Sequence, residues 1–327
     1  MTLLDVQGLT VTLATSAGPG RAVRDLSFAL DRGETLGLVG ESGCGKSMTA
    51  LALMGLLPEG AVASGRILFD GVDLVGAGEE AMCGIRGNRM AMVFQEPMTA
   101  LNPLHPIGRQ VAEPLRLHRG MGRAEAEAEA VRLLDRVGLP NAAARAHAHP
   151  HTLSGGQRQR AMIAMALACG PDLLVADEPT TALDVTIQGQ ILDLVIDLVE
   201  ERGMALILIT HDLGVIAETV DRVIVMYGGA GVEVAATDAL FAERAHPYSQ
   251  GLFAALPQIG RARGTRLAPI PGTVPDLADL PPACTFVDRC PIAIEACRTA
   301  PPPLLPVGPA HGARCIRLDV ARARSAA

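Results

Sequence analysis

The eight residues Gly40-Glu41-Ser42-Gly43-Cys44-Gly45-Lys46-Ser47 constrain this chain more than any other stretch. They follow the apolar run Thr35–Val39, which reads as a buried strand. A helical pattern follows over residues 46–56, with Met48 in its first turn. Strand, glycine-rich loop and helix in this order build a cradle for phosphate. Backbone N–H groups point inward, and the helix N-terminus adds a favourable dipole. In such a loop Lys46 reaches the β- and γ-phosphates, and the Ser47 hydroxyl ligates Mg²⁺. Lys46 is also the only lysine among 28 basic side chains. A compact ammonium fits a tight backbone loop where a planar guanidinium does not.

Two further motifs carry chemistry. Residues 173–178 read Leu-Leu-Val-Ala-Asp-Glu. An apolar strand there delivers two carboxylates to its carboxyl end. Asp177 is placed to hold Mg²⁺ as a Walker B acid does, and Glu178 to orient or deprotonate an attacking water. Leu153-Ser154-Gly155-Gly156-Gln157 opens a helical run. A hydroxyl and exposed N–H groups at a helix start make a second phosphate site. The same residues read alone are a loop and a helix cap.

Patterning around these motifs is that of an α/β protein. Strand patterns occur over 3–11, 22–30, 90–95, 173–176, Ala205–Ile209 and 222–226. Residues 64–74 read as a hairpin about Asp70-Gly71. Residues 123–137 and 187–201 are helical, and 97–165 form a helical block inserted into the α/β core. Residues 1–40 read as short strands with turns. After about residue 245 the chain turns proline- and cysteine-rich, which predicts a separate, loop-rich extension with a frayed end. A formal charge of -7 and no long basic block disfavour nucleic acid. Residues 1–5 lack the leader of a secretory signal. No apolar stretch is long enough to span a bilayer, so any membrane link is expected through partners.

The set formed by 40–47, Gln95, 153–157, Asp177-Glu178, Thr181-Ala182-Leu183-Asp184 and His211 resembles the nucleotide-binding domain of ABC transporters, in order and spacing. The implied fold is α/β: a P-loop NTPase (RecA-like) core with an N-terminal antiparallel β-subdomain, an inserted helical subdomain and a small loop-rich C-terminal extension. The implied domains are 1–250 and 251–327. The resemblance implies ATP and Mg²⁺ as cofactors. It also implies a head-to-tail dimer in which the 40–47 loop of one chain faces Ser154, Gly155, Gly156 and Gln157 of the other. Gln95 would sense Mg²⁺ and a membrane partner, Asp184 would communicate across the dimer, and His211 would contact the γ-phosphate.

Residues 94–103 (Phe-Gln-Glu-Pro-Met-Thr-Ala-Leu-Asn-Pro), 176–188 and His246-Pro247-Tyr248 look like the dipeptide/oligopeptide importer subfamily. That resemblance implies a second ATPase subunit, two transmembrane permeases, an extracytoplasmic binding protein, and a place at the cytoplasmic face of the membrane. Nickel chelates, glutathione and sugars are the alternative cargoes, and a soluble non-transport ABC ATPase is the alternative class. The chain departs from many ABC domains: no aromatic residue occurs before Phe28, and the place near Leu13 expected to stack on adenine is aliphatic. Leu13 and Val23 are the expected apolar substitutes.

Cys284, Cys290, Cys297 and Cys315 cluster in the extension. Four thiolates suit a [4Fe–4S] cluster or zinc, although the tight C-x₂₋₄-C pairs of zinc sites are missing. Free thiols or disulfides are the other readings. Arg289, Arg298 and Arg314 are candidates to offset thiolate charge, or merely solubilise the surface. Of the other cysteines only Cys44 bears on the nucleotide, since its alkylation would block ATP. His147, His149 and His151 read as a structural turn.

Overall fold

The computed structural model describes residues 1–16, 18–180, 184–255 and 269–325. In chain order the elements are β1 (Thr2–Thr15), β2 (Gly18–Asp31), β3 (Thr35–Val39), α1 (Lys46–Leu53), β4 (Val62–Phe69), β5 (Val72–Asp73), α2 (Glu79–Ile85), β6 (Met90–Val93), α3 (Pro97–Ala100), α4 (Ile107–Arg119), α5 (Arg123–Arg136), α6 (Ala142–Arg145) and α7 (Gly155–Ala166). There follow β7 (Leu173–Asp177), α8 (Val185–Arg202), β8 (Ala205–Ile209), α9 (Leu213–Thr219), β9 (Arg222–Tyr227), β10 (Ala230–Ala236), α10 (Thr237–Ala242), α11 (Pro247–Ala254), β11 (Leu305–Gly308), β12 (His311–Ala313) and α12 (Leu318–Ser325). The elements form the expected α/β architecture, with an antiparallel N-terminal β-sheet and a helical block over residues 97–166.

Contacts divide the chain into two compact units. One comprises residues 1–3, 30–35 and 76–209. Its centre is the parallel set β6-β7-β8, in which Ala176 pairs with Val93 on one side and Leu208 on the other. β7 and β8 are buried at every residue. Such unbroken apolar strands are what a parallel sheet covered on both faces requires. Helices α3 to α7 fill residues 97–166 of this unit. Among them α4 and α5 bury Ile107, Val111, Leu115, Ala126, Ala130 and Leu134.

The other unit comprises residues 4–29, 36–75 and 210–327. It holds the antiparallel sheet β2-β1-β4-β5 and the run β3-β9-β10-β12-β11, with β3 and β9 parallel. Gly37 in β3 faces α9: a Cβ there would lie 2.5 Å from Ile216 Cδ1. The hairpin turn forms at Asp70 (φ 50) and Gly71 (φ 82). Two consecutive left-handed residues match the twist of paired strands.

The structure differs from the sequence reading at three places. The first strands are not short, since β1 and β2 each run 14 residues. β1 continues across a register shift between Gln7 and Thr10, where Gly8 is left-handed. That irregularity breaks the alternation on which the shorter reading relied. The helix after the loop ends at Leu53, with Gly55 left-handed just beyond it. The extension is not only loops, because β12 pairs with β10 (Glu233 with Ala313) and β11 with β12. Strands this short carry too few side chains for a period to be read. No described helix is long and apolar enough to cross a membrane.

Candidate functional site

In the phosphate loop, β3 ends at Val39 and α1 begins at Lys46. Gly40 has φ 151, and a Cβ on it would sit 2.2 Å from the Met226 carbonyl oxygen. Gly45 has φ 104, and its Cβ would sit 2.3 Å from the Ala22 oxygen. Both positions therefore demand glycine by conformation and by space. Lys46 is 5% exposed. Its ammonium donates to the Gly40 oxygen at 2.8 Å and the Glu41 oxygen at 3.2 Å. Ser42 and Gly43 are exposed, while Ser47 and Met48 are half-buried. Cys44 is buried at 1% exposure, and burial pushes its thiol up. The expected alkylation at Cys44 is thus shielded, and Cys83 is the exposed cysteine among the seven.

The carboxylates stand at the end of β7. Asp177 is buried, and Glu178 is half-buried with φ 44. A left-handed non-glycine residue of this kind costs on the order of 1–3 kcal/mol. Strain at this level persists only where neighbours fix the geometry. Here the Glu178 N–H donates to the Ile209 oxygen at 2.9 Å. Gln95 Nε2 donates to Glu178 Oε2 at 3.1 Å. The structure thus brings together two residues, 83 apart in sequence, that the motif reading treated separately.

Ser154 and Gln157 close a reciprocal cap at the start of α7. Ser154 Oγ accepts from the Gln157 N–H at 3.3 Å, and Gln157 Oε1 accepts from the Ser154 N–H at 3.1 Å. The cap satisfies two helix donors and fixes the entry of the loop. Ser154 is exposed, and Gly155 and Gly156 are half-buried. Exposed His211 precedes Asp212, whose carboxylate caps α9 by accepting from the Gly214 N–H at 2.8 Å. Asp184 is the exposed N-cap residue of α8. Thr181, Ala182 and Leu183 lie outside the described residues. Of the adenine substitutes, Leu13 is half-buried, whereas Val23 is fully buried in β2.

His246-Pro247-Tyr248 turns out to serve the loop as well. Burial pulls His246 down to about 4, so its ring is neutral at pH 7. Its Nδ1 accepts from the Tyr248 N–H at 3.1 Å and caps α11, with Pro247 in the first turn. Buried Glu233 anchors the turn, accepting from the N–H groups of Ala245 (2.7 Å) and His246 (2.9 Å). Burial pulls the Glu233 carboxyl up, but hydrogen bonds from His311, Ser249, Ala245 and His246 outweigh it and hold the group below its ordinary value. Tyr248 Oη then accepts from the Glu41 N–H at 2.8 Å. Sequence reasoning singled out this triplet without seeing that its phenol touches the phosphate loop. Arg289, which pairs with Glu41, was also assigned elsewhere.

The four cysteines of the extension line one pocket of about 20 Å³ with Phe286, Ile292 and Arg317. The Cys284 N–H donates to the Cys297 oxygen at 3.2 Å. Burial pushes Cys284 up to about 11 and also raises Cys290 and Cys315, with neighbouring thiols adding to the shift. All four are free thiols. Among the described residues no group of three or more His, Cys, Asp or Glu side chains is arranged to hold a metal ion. Of the three arginines named from sequence, Arg289 pairs with Glu41 and Arg314 with Asp25, while Arg298 pairs with Asp288 and also feels the charge of Cys297. Arg317 lines the thiol pocket, and its charge opposes the rise at Cys290 and Cys315, joined at Cys290 by Arg324. Glu41 and Asp25 lie far from Arg289 and Arg314 in sequence, so nothing local signals those two pairings.

Comparisons with known proteins agree with this geometry. The family profile described as ABC transporter matches residues 23–181. That of the C-terminal region of oligopeptide/dipeptide transporters matches residues 232–297. A Brucella melitensis protein provisionally named a peptide import ATP-binding protein is 53% identical, over 96% of this chain and 97% of its own length. The oligopeptide transport ATP-binding protein OppD of Salmonella typhimurium is 50% identical, over 92% of this chain and 89% of its own. A solved dimeric bacterial ABC transporter cassette covers 72% of this chain and 98% of its own, at 29% identity and a TM-score of 0.65.

Proposed function

The chain belongs to the ABC transporter ATP-binding subunits of the peptide-importer subfamily, and from that premise we propose that it powers the import of di- or oligopeptides. As an ABC ATPase it binds and hydrolyses ATP with Mg²⁺. The observation that carries the peptide reading is the match of residues 232–297 to the oligopeptide/dipeptide transporter C-terminal region. The His246-Pro247-Tyr248 turn inside that match contacts the phosphate loop. We assign 1–250 to the ATPase domain, with 97–165 as its helical subdomain, and 251–327 to the extension.

Each residue has a role in this reading. The 40–47 loop holds the triphosphate, Ser47 and Asp177 hold Mg²⁺, and Gln95 links that ion to Glu178. Glu178 orients or deprotonates the attacking water. His211 contacts the γ-phosphate. Leu13 offers adenine its apolar surface, while Val23 backs the strand from the core. Ser154, Gly155, Gly156 and Gln157 complete the site of a second ATPase chain, and Asp184 communicates between the two. ATP closes this pair because it binds the closed state more tightly, and hydrolysis reopens it. Two permeases at the cytoplasmic face receive the motion, and an extracytoplasmic binding protein delivers the cargo. In the reconstituted transporter, oligopeptide-loaded binding protein should stimulate ATP turnover and drive peptide uptake. Stimulation by a nickel chelate, glutathione or a sugar, with none by peptides, would overturn the peptide reading and leave the ATPase intact.

The four thiols around one pocket support the proposal that Cys284, Cys290, Cys297 and Cys315 hold a [4Fe–4S] cluster, with zinc as the alternative. Such a cluster takes four thiolates, and Arg317 beside them offsets part of their charge. An anaerobic preparation should carry iron, sulfide and visible absorbance, all lost in Cys290→Ser. Stoichiometric zinc in their place would select the alternative, and no metal at all would reject both.

A further inference from the structure

Glu41 brings a carboxylate into a loop read as accepting a polyphosphate, and its charge opposes that ligand. Its carboxylate does not stand alone. Arg289 donates to both oxygens, at 2.7 Å and 3.2 Å. The Arg289 side chain is 5% exposed and that of Glu41 30%. Every arm of the guanidinium is held. Nε donates to the Pro271 oxygen at 2.8 Å, one terminal nitrogen to the Ile270 oxygen at 3.3 Å, and the other to Tyr227 Oη at 3.3 Å. The guanidinium carbon lies 5.6 Å from the centre of the Tyr227 ring. A planar fork fixed at five donors is far more pre-organised than an exposed ion pair.

The backbone of Glu41 is held by the same part of the chain. Its N–H donates to Tyr248 Oη, and burial keeps that phenol neutral by raising it well above the ordinary tyrosine range. Tyr248 packs against Tyr227 at 4.7 Å and Phe286 at 5.4 Å between ring centres. Phe286 and Arg289 both lie on the turn between Cys284 and Cys290. The cysteine-bearing turn therefore grips the first variable residue of the phosphate loop by side chain and, through Tyr248, by main chain.

We infer that Arg289 is a positioning residue of the nucleotide site: it neutralises Glu41 and so lets the loop accept ATP, and it does so from the cysteine-bearing turn. Removing the guanidinium leaves an unpaired, partly buried carboxylate beside the incoming phosphates. That weakens ATP binding without touching the atoms that react, so KM rises and kcat holds. Removing the carboxylate as well takes away the repulsion. The inference rests on residues 40–47 being the phosphate loop.

The test uses the full-length chain assembled with its transporter partners and compares Arg289→Ala, Glu41→Gln and the double variant. Arg289→Ala should raise the KM for ATP about five- to tenfold with kcat within about twofold of wild type. The double variant should have the KM of Glu41→Gln alone, and that KM should lie below the KM of Arg289→Ala. A structural role for the pair predicts the reverse pattern, with KM raised in all three variants and no restoration. That pattern, or an unchanged KM in Arg289→Ala, would overturn the inference. Should Arg289→Ala fail to assemble, Arg289→Lys keeps the charge but not the fork and should raise KM less, again reversed by Glu41→Gln. Failure of the loop reading itself would look different: Lys46→Arg would then bind ATP as tightly as wild type.

Discussion

Glu178→Gln is expected to lower ATP turnover by on the order of 10²–10⁴, the usual contribution of a general base, while ATP binding persists. Glutamine has the shape of glutamate and can still accept the hydrogen bond from Gln95 Nε2, now 3.1 Å long. It cannot take a proton from water. The backbone at this residue is left-handed at φ 44, and its N–H is tied to Ile209. The substituted side chain is therefore carried to the same place, and the loss is one of chemistry. Trapped nucleotide should also hold two ATPase chains together, visible as an ATP-dependent dimer by size-exclusion chromatography. Turnover within twofold of wild type would remove Glu178 from the catalytic role.

Lys46→Arg keeps the charge, yet turnover should fall by about two orders of magnitude or more, with ATP binding weakened as well. The reason is space. The Lys46 ammonium fits between the Gly40 and Glu41 oxygens, at 2.8 Å and 3.2 Å, with Cys44 Sγ 3.7 Å away. A guanidinium is planar, broader and unable to place a single donor there. The loop has no slack to accommodate it, since Gly40 and Gly45 already approach the Met226 and Ala22 oxygens. Fluorescent-nucleotide binding and steady-state hydrolysis, measured together, check both halves of the expectation. An arginine variant with wild-type affinity and turnover would show that retention of the sole lysine has no steric basis.

Much of the fold was legible because its signals are local. Thr35–Val39, the glycine spacing of 40–47 and the buried strand Leu173–Asp177 each declare themselves within a few residues. The α/β alternation places them in one class of fold, and the helical pattern over 97–165 marks the insertion. Less legible was the long β1, where a bulge at Gln7 to Thr10 interrupts the period. The strands β11 and β12 were illegible, because three or four residues cannot carry an alternation. The site followed the same division. Lys46, Asp177, Glu178 and Ser154 were proposed from motifs alone. The hydrogen bond from Gln95 to Glu178 and the burial of Val23 needed coordinates.

The sequence by itself determined the conformation of the 40–47 loop, since glycine at fixed spacing dictates the backbone there. It could not determine what holds the loop. Glu41 meets Tyr248 across 207 residues and Arg289 across 248. Pairings at that separation leave no periodic trace, because they arise only when distant segments pack and bury a charge that must then be matched. Tertiary structure likewise decided which arginine faces the four thiols. Arg317 lines their pocket, while Arg289 is turned to the phosphate loop.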